Sequence, residues 1–155
     1  MKKSIVAVLF AIVTAEALLI NKYRKRFLKQ RDEYLKFTEF YQLLLQWVRN
    51  YRDGKHIKSY FEKNDFKSVA IYGMKELGIS FLEQCEREKI NVKYCIDRDA
   101  DSIHLDVDVY KPDTYFGDVD VIVVTAIHNF CEIECSLKKK TSANIVSLED
   151  VIWEL

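Results

Sequence analysis

Apolar residues recur at steps of three and four from Tyr23 to about Arg52. Leu28, Leu35, Phe37, Tyr41, Leu44, Leu45, Val48 and Tyr51 mark the stripe of one long amphipathic helix. Asp53-Gly54 ends it in the manner of a glycine C-cap. Beyond that point the period changes. Lys55–Asn64 reads as a short helix with Ile57, Tyr60 and Phe61 on one side, and Ser68–Tyr72 as a first strand. Met74–Lys89 is a helix with Leu77, Phe81, Leu82 and Cys85 turned inward. Val92–Ile96 is a second strand, ending at Asp97, and Val107–Tyr110 a short third. Asp120–Thr125 is the clearest strand, because Val121 to Val124 run unbroken, as they do when both faces of a sheet are covered. Phe130–Lys140 is a helix and Asn144–Val146 a fifth strand. Ser147-Leu148-Glu149-Asp150 resembles a capping box that opens a last helix through Trp153.

Strands alternating with helices at this spacing predict an α/β fold with a parallel sheet. Right-handed crossovers make it Rossmann-like, ordered 3-2-1-4-5, with a long N-terminal helical extension. An acidic loop after Asp97 stands where a helix normally joins the second and third strands. The expected division is an apolar segment over 1–20, an amphipathic helix over 21–54 and a Rossmann-like domain over 55–155.

Ser4 to Ile20 is apolar except for Thr14 and Glu16, and Lys2 and Lys3 precede it. Three readings fit: a secretory signal cleaved after Val13-Thr14-Ala15, a membrane anchor through 4–20, and a helix that docks on protein. Lys22, Arg24, Lys25, Arg26, Lys29 and Arg31 follow at once and favour holding that side in the cytoplasm. The favoured expectation is an uncleaved, membrane-associated helix with its domain on the cytoplasmic face of the membrane. A soluble cytoplasmic chain, or an exported one if 1–15 is cleaved, are the alternatives. The 21–54 helix must bury its stripe on the domain or on a second copy, so a homodimer through it is a further expectation.

Lys+Arg and Asp+Glu balance at 24 each, so nothing in the overall charge draws the chain to nucleic acid. The spacing of Cys85, Cys95, Cys131 and Cys135 fits no small disulfide scaffold, and they read as reduced thiols. Cys131 and Cys135 share a helix face with His128, but a fourth ligand is missing, so a packed face is expected instead of a metal.

The one stretch built for a ligand is Ser68 to Gly78, SVAIYGMKELG. Its strand, turn and helix match the dinucleotide-binding fingerprint G-x-G-x-x-G at Gly73 and Gly78, but Lys75 stands at the middle glycine. That glycine lets backbone approach a pyrophosphate, so Lys75 either obstructs the standard mode or meets a phosphate with its ammonium. Gly73, Met74 and Lys75 share the crevice beyond the strand ends with Asp97 and with Thr125 to Asn129. Asp97, 24 residues past Gly73, sits where an acidic residue grips a ribose, or where a strand-end aspartate holds a turn. Thr125 caps or lines the crevice. His128 can reach a bound ligand but lacks a placed base or nucleophile, so no catalytic residue is assigned. Asp97, Asp99 and Asp101 alternate as in a calcium loop, yet Ser102 replaces the required glycine and Asp108 the closing glutamate. A solvated acidic loop is expected.

VAIYGMKELG, KYCIDRDAD, DVDVIVVTAIH and IVSLEDVIWEL together resemble a family of small bacterial Rossmann-like proteins. Such domains accompany cell-surface polysaccharide and glycan biosynthesis, alone or fused to glycosyltransferases. The first strand and turn are also similar to the nucleotide-binding N-terminal domain of polysaccharide-biosynthesis dehydratases and epimerases. The resemblance covers Phe40 to Leu155. It implies a noncatalytic accessory module acting by partner or nucleotide binding. The implied partner is a glycosyltransferase or another glycan-assembly protein, and NAD or a nucleotide-sugar is the cofactor class to test. The alternative is an enzyme component that needs a partner for catalysis. What the resemblance implies residue by residue is limited to Gly73 and Gly78 for the turn and Asp97 for a ribose contact.

Overall fold

The computed structural model describes the backbone of residues 2–114 and 117–155 and the side chains of 16–114 and 117–155. It divides into two compact units, Met1–Gln42 and Leu43–Leu155. The expected junction near residue 20 is not a break in secondary structure. Helix α1 spans Lys2–Arg52, since no glycine or proline precedes Gly54. The anchor or signal assigned to 4–20, and the cleavage site within it, fall outside the described side chains as far as residue 15. Among the described residues no helix is long and apolar enough to cross a membrane. Gly54 ends α1 at φ +70°, with Gly54 N–H donating to the Tyr51 carbonyl (3.2 Å) and Lys55 N–H to that of Asn50 (2.9 Å). That bond pair is the Schellman motif, so the glycine stop is realised.

The second unit contains α2 (Ile57–Lys63), β1 (Val69–Tyr72), α3 (Glu76–Arg87), β2 (Val92–Ile96), β3 (Val109–Tyr110), β4 (Val121–Val124), α4 (Phe130–Leu137), β5 (Asn144–Ser147) and α5 (Leu148–Trp153). The five strands form one parallel sheet in the order β3-β2-β1-β4-β5. β1 lies at its centre, with Tyr72 opposite both Ile96 and Val124. Ala70, Tyr94, Ile96, Ile122 and Val124 pack with Leu137, Phe130 and Ile133 of α4. The alternate residues Val69, Ile71, Cys95, Val121 and Val123 are fully buried on the other side, where α3 packs on β1 and β2. A 3-10 turn at Ala100–Ser102 replaces the helix between β2 and β3, which leaves β3 a two-residue edge.

The end of α1 packs through a face that differs from the expected stripe. Leu43 is 0% exposed and Asn50 2%, whereas Leu44, Val48 and Tyr51 are exposed. Trp47, between them on the packed face, donates its indole N–H to Gln84 Oε1 (2.5 Å) and meets Phe81 edge-on at 6.2 Å between ring centroids. Asn50 Nδ2 donates to the Ile152 carbonyl in the last turn of α5 (2.6 Å), and its Oδ1 accepts from Gln46 Nε2 (2.9 Å). Apolar character alone chose the wrong neighbours because the buried side is built around a polar asparagine and an indole. α5 opens as expected: Ser147 Oγ accepts from Glu149 N–H (3.2 Å) and Asp150 Oδ2 from Ser147 N–H (2.9 Å).

Candidate functional site

Everything at the strand ends turns on Gly73, which leaves β1 at φ +96°, a region L-side chains avoid. Its N–H donates to the Ile96 carbonyl (2.8 Å), extending the pairing with β2 by one residue. A Cβ on Gly73 would lie 2.8 Å from Thr125 Oγ1, so side-chain room as well as backbone conformation demands glycine. Gly78 answers it from the first turn of α3. A Cβ there would stand 1.9 Å from the Gly73 carbonyl oxygen. The two flanking glycines of the fingerprint are therefore in contact, and their purpose is close helix–strand packing.

Thr125, buried at the end of β4, closes the turn from the other side. Its hydroxyl donates to the Gly73 carbonyl at 2.6 Å and lies 3.1 Å from that of Tyr72. From β2 comes Asp97, 9% exposed. Asp97 Oδ2 accepts the Met74 N–H at 2.6 Å and Oδ1 the Asp99 N–H at 2.9 Å. The aspartate thus holds two turns at once, its own and that of β1. Met74 is buried, while Lys75 is exposed and begins α3 with extended backbone (φ −89°, ψ −162°) that any residue adopts. Lysine at the middle position costs the turn no strain.

The structure brings Gly73, Met74, Lys75, Gly78, Asp97 and Thr125 to one place. His128 sits exposed in the 3-10 turn Ile127–Asn129 that follows the β4 end. Tyr72, passed over in the sequence, lies at the same strand ends. Burial pushes its phenol up from 10.0, Arg98 pulls the other way, and Asp97, Asp113 and Glu132 add to the rise. The signal was available: a residue with a polar head ends an otherwise apolar strand just before the turn glycine. Glu76 in the first turn of α3 occupies the end of the helix that favours anions. Carboxylates thus outnumber the cations Lys75 and Arg98 here.

The acidic loop behaves as an ordinary turn. Ser102 Oγ donates to the Asp99 carbonyl (2.8 Å), and Asp101 pairs with Lys111. Cys131 and Cys135 are free and exposed, and Cys85 and Cys95 free and buried. Among the described residues no group of three or more His, Cys, Asp and Glu is placed to hold a metal ion. No family model, curated protein or solved structure matches this chain.

Proposed function

We propose that the protein is a noncatalytic accessory module, membrane-tethered on the cytoplasmic side, that works in bacterial cell-surface glycan assembly by binding a protein partner. The observation that carries the noncatalytic half is the 2.6 Å contact between Asp97 Oδ2 and the Met74 N–H. In a dinucleotide-binding turn, backbone N–H groups and the helix N-terminus are kept for phosphate oxygens. Here the chain's own carboxylate takes the donor that follows Gly73, and Glu76 adds a second negative charge nearby. A pyrophosphate would have to displace one anion and approach another. The glycan setting rests on the resemblance of the turn and C-terminal motifs. The tether rests on the apolar 4–20 segment and the basic cluster behind it.

The alternative is an NAD- or nucleotide-sugar-binding component, favoured by the cations Lys75 and Arg98 flanking the same turn. Thermal unfolding of the full chain with NAD, UDP-sugars and coenzyme A separates the two. A ligand at a hundredfold excess over its dissociation constant stabilises by about 2.7 kcal/mol, an obvious shift. We expect no shift with wild type. A shift with any of them would replace the accessory reading with the nucleotide one. Proximity labelling from the full chain in cells is expected to mark glycosyltransferases or other glycan-assembly proteins, and labelling without them removes the glycan setting.

A further inference from the structure

One surface of α1 is unexplained by anything at the Gly73 turn. Ile20, Tyr23, Phe27, Tyr34, Phe37 and Tyr41 are all between 56% and 69% exposed. Their spacing alternates three and four without a slip, once Gln30 is counted in the series. Six such positions on an exposed helix are too many and too regular for scattered surface apolar residues. On the far side of the same helix, Lys22, Lys25, Lys29, Asp32, Lys36 and Glu39 are every one charged. In heptad notation these are the c and f positions, and the aromatic series is a and d.

We infer that this seam pairs with the same seam on a second copy of the chain, forming a two-stranded coiled coil over residues 20–41. The period selects the occupant. A stripe repeating every 3.5 residues drifts by about 20° per heptad around a straight helix, so it stays in contact only with a partner that supercoils with it. A flat lipid surface calls instead for a broad apolar arc at a period of 3.6. The area is sufficient as well. Twenty-two residues span about 33 Å. Six large side chains each covering roughly 100 Å² bury about 1,200 Å² over the two copies, the threshold of a specific interface. Gln30, exposed in the single chain, would become at one d position of the dimer a buried polar group of the kind that fixes register at a cost in stability. The spacing itself continues through Leu44, Val48 and Tyr51, which are also exposed.

The deciding measurement is the mass of the purified full chain by light scattering, in detergent corrected for bound detergent where required. Wild type is expected at twice the 18.3 kDa of the chain. The double variant Phe27→Asp/Phe37→Asp is expected to be monomeric at the same concentration, while Leu35→Asp, outside the seam, remains dimeric. Gln30→Leu should hold the dimer together at dilutions where wild type dissociates. Unchanged thermal unfolding of the Leu43–Leu155 unit shows that the variants fold. A wild-type monomer, or a dimer that the double variant leaves intact, overturns the inference. So does a monomer that binds phosphatidylserine vesicles through Phe27 and Phe37, which assigns the seam to a lipid surface.

Discussion

Asp97 at the end of β2 holds the Met74 N–H at 2.6 Å, across to the exit of the central strand β1. Its second oxygen takes the Asp99 N–H, so one buried carboxylate fixes the exit of β1 and the start of the acidic loop. Hydrogen bonds to a charged group contribute about 1.5–3 kcal/mol. Asp97→Ala is expected to lower stability by about 2 kcal/mol in urea unfolding. Asp97→Asn, which keeps an acceptor, should cost less. Hydrogen exchange at the Met74 amide should accelerate in both, and an unchanged rate would show that the contact does not hold the turn.

Gly78 is the least replaceable glycine. With a Cβ placed 1.9 Å from a backbone oxygen, Gly78→Ala forces α3 away from β1. A loss of about 3 kcal/mol or more is expected. Gly117, with nothing within 4 Å of its would-be Cβ, is the matched control. Gly117→Ala should change stability by no more than about 0.5 kcal/mol.

The face of α1 that packs is tested by two adjacent leucines. Leu43→Ala removes a fully buried side chain and should cost about 3 kcal/mol, whereas Leu44→Ala, at a position 37% exposed, should cost about 1 kcal/mol. Equal losses in denaturant unfolding would restore the stripe read from the sequence.

Alkaline pH should weaken the fold through its buried thiols. Burial pushes Cys95 from 9.0 up to about 12, with Glu86 adding to it, and raises Cys85 as well. The folded state holds the protonated form, so this stability is complete below pH 9, where the unfolded thiol is also protonated. Above that the unfolded chain ionises first, and stability falls until the folded thiol titrates near pH 12. The expected slope reaches about 1.4 kcal/mol per pH unit for each thiol. Cys95→Ala should remove its share of the slope in urea midpoints taken across this interval, and an identical slope would assign it to other groups.

Much of the fold was legible because backbone periodicity and solvent exclusion act locally. The Val121–Val124 run, the inward face of α3, the glycine stop at Gly54 and the capping box at Ser147 all express preferences of a few adjacent residues. With right-handed crossovers, those preferences lead to the order β3-β2-β1-β4-β5. The site was legible only as a gathering of residues. That Gly73, Lys75, Asp97 and Thr125 meet follows from parallel strands ending at one edge.

What they do there was decided by tertiary contact. Asp97 and Thr125 spend their polar atoms on the turn itself, and Gly73 and Gly78 touch because α3 lies against β1. Likewise Trp47 and Asn50 turn toward the packed side of α1, where Gln84 and the Ile152 carbonyl accept their hydrogen bonds, and Leu43 is buried on that same side. Helix, strand and the order of assembly are written in the pattern of residues, since those choices depend on neighbours along the chain. Which polar groups meet came from the folded chain alone, since a hydrogen-bond partner 23 or 102 residues away leaves no periodic trace.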